Sequence, residues 1–206
     1  MVIGCRNALV LSTTKDTDEI LELCTAAGYI PLDTVVQVRD MPDRNYYLGR
    51  GKIQEISANM KNGSLDNIDK VVVNGSIKPA QHFHIEQLLG IPVVDRLGVI
   101  LEIFSERARD QTAKLQVDLA RLQYETPFVR EWIHSARHGE HPGFLAGGEY
   151  EVDYYYQYCR KRIKKIREQL TKVKKDRLEN HKNRAKKGFF SISFVGYTNT
   201  GKTSLF

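Results

Sequence analysis

The first hundred residues alternate between short apolar runs and longer stretches with helical spacing. Four runs rich in valine, isoleucine and leucine predict strands at residues 7–11, 34–38, 70–73 and 92–94. Three intervening stretches place apolar residues at helical spacing and each ends at a glycine or an Asn-Gly pair; they span residues 17–27, 51–61 and 79–89. Short apolar strands that alternate with helices are typical of a mostly parallel sheet. The pattern therefore predicts a small α/β domain at residues 1–96.

The pattern changes at Leu97, where the apolar spacing becomes helical over a long stretch. Apolar residues recur at intervals of three, four or seven from Leu97 to Leu122, and this predicts one helix of about 30 residues that ends before Pro127. A glycine-rich loop is predicted at residues 137–150. From Val152 to Val173 a near-heptad spacing predicts a second long helix. Two long amphipathic helices joined by a loop predict an antiparallel helical hairpin at residues 97–187.

Charge is concentrated in the second predicted helix. The chain carries a net charge of +6, yet residues 160–187 hold 14 Lys and Arg against 3 Asp and Glu, while the rest holds 17 basic and 22 acidic residues. Such a strip indicates a polyanionic partner, with nucleic acid ahead of a membrane surface; a solvated helix face is the alternative. The RNA-binding candidates are Arg160, Lys161, Lys164, Lys165, Arg167, Lys172, Lys174 and Lys175.

The remaining composition excludes several classes of protein. No run of 18 apolar residues is present, so we expect no integral membrane segment. The first residues lack a basic-then-apolar secretion signal, and the three cysteines are far apart in sequence, which favours neither disulfides nor a zinc site. We therefore expect a cytoplasmic protein, and a monomer.

The segment after the basic helix carries the clearest chemical motif. Residues 189–195 (FFSISFV) predict a buried strand, and Gly196–Thr203 then matches the pattern G-x-x-x-x-G-K-[ST]. In such a P-loop, backbone amides surround phosphate oxygens, Lys202 neutralises the β and γ phosphates, and the Thr203 hydroxyl ligates Mg²⁺. A glycine-rich turn without a ligand is the alternative. The predicted nucleotide-binding residues are Gly196, Tyr197, Thr198, Asn199, Thr200, Gly201, Lys202, Thr203 and Ser204.

Two further expectations concern nucleotides. The sequence stops three residues after Thr203, and a P-loop domain needs further strands and a second carboxylate for the metal. We therefore expect residues 188–206 to be the start of an incomplete GTP-binding domain that holds no catalytic residue and does not hydrolyse nucleotide by itself. Residues 47–52 (YLGRGK) are also glycine-rich but lack a second Gly-Lys-[ST] pattern, so we interpret them as a turn into a helix rather than a second nucleotide site.

Several stretches together resemble the HflX family of ribosome-associated GTPases. The similar stretches are distributed over most of the chain and are Tyr47–Lys52, Asp95–Arg96, Ile103–Ala108, Lys114–Tyr124 and Gly196–Lys202. The resemblance implies an α/β subdomain followed by a helical hairpin that docks on the large ribosomal subunit through rRNA. It also implies GTP and Mg²⁺ as cofactors, GTPase activity in the complete enzyme, and coupling of GTP binding to ribosome binding or splitting.

Two other functions stay open from the residues alone. One is an RNA- or ribosome-binding module without enzymatic activity, which would bind equally with and without nucleotide. The other is an ATP-using P-loop protein, because no residue present in the chain selects guanine over adenine.

Overall fold

The computed structural model describes residues 6–63, 65, 67–137, 148–190, 192–193, 195–197 and 200–205, and it forms two compact units, Met1–Arg167 and Glu168–Phe206. The strands are β1 (Arg6–Ser12), β2 (Tyr29–Val36), β3 (Lys70–Val73) and β4 (Val93–Asp95). The helices are α1 (Asp18–Ala26), α2 (Arg50–Lys61), α3 (Pro79–Leu89), α4 (Arg96–Arg107), α5 (Gln111–Arg137), α6 (Gly148–Lys186) and a short 3₁₀ helix, Lys202–Leu205.

The four strands form one parallel sheet with the order β2-β1-β3-β4. This confirms the predicted α/β fold with a parallel sheet. The edge strand β2 starts five residues earlier than predicted, directly after Gly28, and it ends at Val36. It contains Pro31, and its register with β1 shifts between Ala8 and Leu9. Proline fits here because an edge strand does not need every N–H for its neighbour.

Alternate residues of the central strands face two separate cores, as expected for a sheet covered on both sides. Leu9 and Leu11 pack with apolar residues of α2 and α3 on one face. Ala8 and Val10 pack with residues of α1 and α4 on the other. The first unit is therefore a three-layer α/β/α arrangement, with α5 packed on α3 and α4.

The prediction of a single helix from Leu97 that ends before Pro127 is wrong in two respects. The chain forms two helices, because Ala108 has extended backbone angles and Asp110 starts a new helix by accepting a hydrogen bond from the Ala113 amide at 2.9 Å. An Asp before a helical stretch is a common N-cap, so the signal was present in the sequence.

Pro127 does not end the helix either, since α5 continues through it to Arg137. A proline inside a helix costs roughly 3 kcal/mol through one lost hydrogen bond and a steric clash. Packing offsets this cost: Phe128 lies against the core beneath α3, and its ring centroid is 4.7 Å from that of His82.

The predicted antiparallel packing of the two long helices is confirmed for α5 and α6 within the first unit. The Tyr155 hydroxyl donates to Glu125 Oε2 at 3.2 Å, and Arg162 lies 3.8 Å from Asp118. Moving seven residues forward along α6 thus moves seven residues back along α5. The predicted seam is correct at Cys159 and Ile166, which are fully buried. Helix α6 begins at Gly148, four residues before the predicted start at Val152, and residues 138–147 of the predicted loop lie outside the described residues.

The second unit contains the end of α6 and the P-loop sequence. Gly188 adopts a left-handed φ of 77°, and the Phe189 amide donates to the Arg184 carbonyl, so the helix ends at a glycine as predicted. The strand predicted at residues 189–195 is not formed by the described residues of that segment. Phe190 and Val195 are 96% and 94% exposed. A strand requires a hydrogen-bonded neighbour, and no strand is paired with this segment in the described part of the chain.

None of the helices, as far as the chain is described, is long and apolar enough to cross a bilayer.

Candidate functional site

The P-loop sequence forms a tight turn that leads into a 3₁₀ helix. Gly201 has a left-handed φ of 74°, which favours glycine, and the Ser204 amide donates to the Gly201 carbonyl at 3.0 Å. A Cβ atom on Gly196 would lie 3.0 Å from Thr200 Oγ1. Both glycines of the motif therefore stand where the backbone turns sharply or approaches a neighbour closely.

Lys202 folds back over its own loop. Its ammonium donates to the Gly196 carbonyl oxygen at 2.8 Å, to the Tyr197 carbonyl oxygen, and to Thr200 Oγ1 at 3.2 Å. Thr200 Oγ1 in turn donates to the Tyr197 carbonyl at 2.7 Å. The Lys202 ammonium is thus held against oxygen atoms of its own loop.

The other predicted nucleotide-binding residues are described less fully. Tyr197 is exposed, and the backbone of Thr203 and Ser204 lies in the 3₁₀ helix. Thr198 and Asn199 lie outside the described residues, as does the side chain of Thr203. The assignment of a Mg²⁺ ligand to Thr203 therefore stays a prediction from the sequence pattern.

The eight basic candidates of α6 all have exposed side chains. Five belong to the first unit and three to the second; they are Arg160, Lys161, Lys164, Lys165 and Arg167, and then Lys172, Lys174 and Lys175. Cys159 and Ile166 are buried and mark the packed side of the helix in the first unit. At 100° per residue, Lys161 and Lys164 face away from that side, and Arg160, Lys165 and Arg167 flank it. In the first unit the helical period thus separates a packing side from a cationic side.

Tyrosines precede this basic face. Tyr155 stands at the edge of the seam and is held by its hydrogen bond to Glu125, while Tyr154 and Tyr158 are exposed. Burial and the charge of Glu125 raise the pKa of Tyr155 to about 12. Tyr156 faces away from Tyr154 and Tyr158 around the helix, and the guanidinium of Arg160 lies 6.0 Å from its ring centroid.

Tyr47 occupies the crevice where open α/β sheets commonly bind small ligands, beyond the carboxyl ends of the central strands. Its ring is buried with a left-handed φ of 63°, and its hydroxyl donates to the Asn74 carbonyl oxygen at 2.5 Å. It also lies 3.4 Å from Thr13 Oγ1. A nucleotide placed here would have to displace this ring. After it, Gly49 caps the start of α2, so the YLGRGK stretch is a turn into a helix.

A buried cluster of hydrogen bonds, the polar joint, links α5 to the sheet. The sequence did not indicate it. Asp95 is buried at the start of α4, and its Oδ1 accepts hydrogen bonds from the Gly98 amide at 2.9 Å and the Tyr124 hydroxyl at 2.8 Å. Burial and the charge of Asp95 raise the pKa of Tyr124. Asp95 and Tyr124 belong to two of the stretches that carry the family resemblance, and the fold brings them together.

Comparisons with known proteins agree with this architecture. Residues 14–105 match the family model described as GTP-binding GTPase N-terminal, and residues 107–184 match the one described as GTP-binding GTPase Middle Region. The chain is 40% identical over 189 residues to the GTPase HflX of Thermofilum pendens, covering 92% of this chain and 44% of the relative. It is 35% identical over 193 residues to the GTPase HflX of Escherichia coli, covering 93% and 45%. The chain thus spans less than half the length of these relatives.

Solved structures show the same fold. A GTP-binding protein from Sulfolobus solfataricus in complex with GDP has a TM-score of 0.59 at 26% identity, over 97% of this chain and 51% of that one. A structure described as an SsGBP and GDP complex has a TM-score of 0.62 at 23% identity, over 97% and 54%.

Proposed function

The chain belongs to the HflX family, and on this premise we propose that it acts in a guanine-nucleotide-binding protein that associates with the large ribosomal subunit. In this proposal the exposed basic side of α6 binds rRNA phosphates, and Gly196–Ser204 bind the phosphates of GTP. The observation that carries the proposal is the exposure of all eight basic candidates on α6, together with the burial of Cys159 and Ile166 on the packed side of that helix in the first unit.

The basic helix supports an RNA partner through simple electrostatics. Each lysine or arginine that neutralises a phosphate releases counterions, so the binding constant falls steeply as salt is added. Residues 160–187 carry a local excess of 11 positive charges, which exceeds what the acidic neighbours Asp118 and Glu125 on α5 balance.

The nucleotide part of the proposal rests on the residues of the turn. The two glycines stand at positions of sharp turning or close approach, and the Lys202 ammonium already lies among loop oxygens. In this proposal Lys202 would neutralise phosphate charge of bound GTP, and the Thr203 hydroxyl would ligate Mg²⁺. Bound Mg²⁺ would neutralise phosphate charge. The structures of related proteins in complex with GDP support guanine rather than adenine as the base.

Co-sedimentation with purified large ribosomal subunits tests the RNA part. We expect this chain to pellet with the subunits at low salt and to be released as salt rises. A variant with Lys161, Lys164, Lys165 and Lys172 changed to Glu should bind more weakly, and the slope of log K against log salt should decrease by about 3.

A matched control carries the same change in net charge elsewhere. It replaces the exposed residues Lys15, Arg44, Lys61 and Arg109 by Glu. Equal loss of binding in the two variants would show that only net charge matters and would contradict an interface on α6. Addition of GTP or ATP to each sample separates the alternatives. A pellet that ignores both nucleotides favours a pure RNA-binding module, and a response to ATP alone contradicts the guanine assignment.

A further inference from the structure

Two tyrosine rings of α6 are exposed to water next to the basic residues of the first unit. The side chains of Tyr154 and Tyr158 are 75% and 49% exposed. Steps of four, three and four residues lead from Tyr154 to Tyr158, Lys161 and Lys165, so all four lie on one face of the helix. At 1.5 Å per residue, this row is about 16 Å long.

The ring of Tyr158 is held in place by its neighbours. Its centroid lies 6.2 Å from that of Tyr155, and the two planes differ by only 25°. Tyr155 is itself fixed to α5, because its hydroxyl donates to Glu125 Oε2. A tyrosine phenol is protonated at neutral pH and therefore acts as the donor in this bond. Tyr158 therefore continues a short stack that begins at the seam of the hairpin.

A row of aromatic rings followed by ammonium groups fits a particular form of RNA. Unpaired bases expose a face that stacks on an aromatic side chain, whereas a duplex offers mainly phosphates and 2′-hydroxyls. We propose that Tyr154 and Tyr158 stack on unpaired bases while Lys161 and Lys165 bind the adjoining phosphates, so that this face selects single-stranded or loop RNA over duplex. This inference rests on the proposed RNA-binding function and specifies the RNA that it recognises.

Two RNA probes and the full chain test the selection. One probe is a 12-nucleotide single strand with 2-aminopurine near its centre, and the other is a 12-base-pair duplex of the same sequence. We expect tighter binding to the single strand, with quenching of the 2-aminopurine fluorescence as the base stacks. Replacing Tyr154 and Tyr158 by Ala should weaken single-strand binding by about 5- to 150-fold for each ring that stacks. The salt dependence should stay unchanged because no charge is removed.

Matched variants distinguish stacking from folding. Tyr154→Phe and Tyr158→Phe keep the rings and should keep both affinity and quenching. Tyr156→Ala removes a ring that faces away from Tyr154 and Tyr158 and contacts Arg160 instead, so it should keep the quenching of 2-aminopurine. The far-UV circular dichroism of each variant shows whether the helices remain.

Failure of this inference is distinct from failure of the proposed function. If the double alanine variant binds both probes like the parent chain, or if the parent chain prefers the duplex, the stacking face is refuted and phosphate binding on α6 stands. If the parent chain binds neither probe at low salt, the RNA-binding function and the stacking face are both refuted.

Discussion

Replacement of Gly98 by Ala has two opposite effects on stability. Alanine has the higher helix propensity, but its methyl group would crowd its neighbours, and the structure indicates that the crowding dominates. Gly98 lies in the first turn of α4, where alanine is worth at most about 1 kcal/mol more than glycine. A Cβ atom there would lie 2.4 Å from Val94 Cγ2 and 3.0 Å from the Tyr124 hydroxyl. Both distances are shorter than ordinary van der Waals contact for carbon, so Val94 or α5 has to move.

The net effect follows from these two contributions. Inserting a methyl group into a packed site costs about 1–3 kcal/mol. After subtraction of a propensity gain of about 0.5 kcal/mol for this first-turn position, we expect Gly98→Ala to lower the free energy of unfolding by about 0.5–2.5 kcal/mol. In a urea titration followed by circular dichroism, with an m-value of about 2 kcal/mol per molar, the midpoint should fall by roughly 0.3–1.3 M.

Gly51 provides the matched control, because it also lies in the first turn of a helix but an added Cβ would meet no atom within 4 Å. Gly51→Ala should leave the free energy of unfolding unchanged or raise it by up to about 1 kcal/mol. The urea midpoint should therefore stay the same or rise. If both variants are stabilised, Gly98 does not lie as close to Val94 and Tyr124 as described. The packing of α4 against β4 and α5 would then be looser than the structure indicates.

Three further predictions test other parts of the first unit. Burial raises the pKa of Cys24 from 9.0 to about 11. The buried, protonated thiol therefore stabilises the folded state below about pH 9, and this stabilisation is lost as the pH rises toward 11. A Cys24→Ala variant should lack this loss in urea titrations across that range. Lys70 donates to the Tyr29 hydroxyl and to Glu102 Oε1, each at 2.8 Å, and Lys70→Met should cost about 1–3 kcal/mol in urea unfolding; an unchanged midpoint would refute the contribution of this cluster. Asp110→Ala should cost about 0.5–2 kcal/mol through the lost cap of α5, and Asp110→Asn should retain most of the stability.

The sequence predicted the order of strands and helices well in the α/β part, because each element there has its own apolar pattern and its own stop. Strand β3 and helix α3 begin and end at the predicted residues. The early start of β2 could not be predicted, since Pro31 argues against a strand unless its place at the sheet edge is known. Edge position is a tertiary property that no local pattern contains.

The errors in the helical part have opposite causes. The break between α4 and α5 was encoded locally by Asp110, but the continuous apolar spacing concealed it. The continuation of α5 through Pro127 depends on the contact of Phe128 with His82, which only the fold creates. The joint between Asp95 and Tyr124 is likewise tertiary, because the two residues lie 29 positions apart in sequence.

The candidate sites show the same division between local and tertiary information. The P-loop and the exposed side of α6 are local patterns of residue type and helical period, so the sequence alone indicated them. The pairing of Tyr155 with Glu125, which fixes the Tyr158 ring, requires that two long helices be aligned in one register. The position of Tyr47 in the crevice beyond the central strands could not be predicted from the sequence, because it depends on the order of the strands in the sheet.

The register shift and Pro31 in β2 have a consequence for solubility at high concentration. An open strand edge with exposed Ile30 and Leu32 would otherwise offer a template on which further chains could pair. Pro31 lacks the N–H that such pairing needs, and the irregularity beside it interrupts the regular spacing of donors and acceptors. The edge therefore discourages fibrous self-assembly through its backbone, while its apolar side chains remain in contact with water.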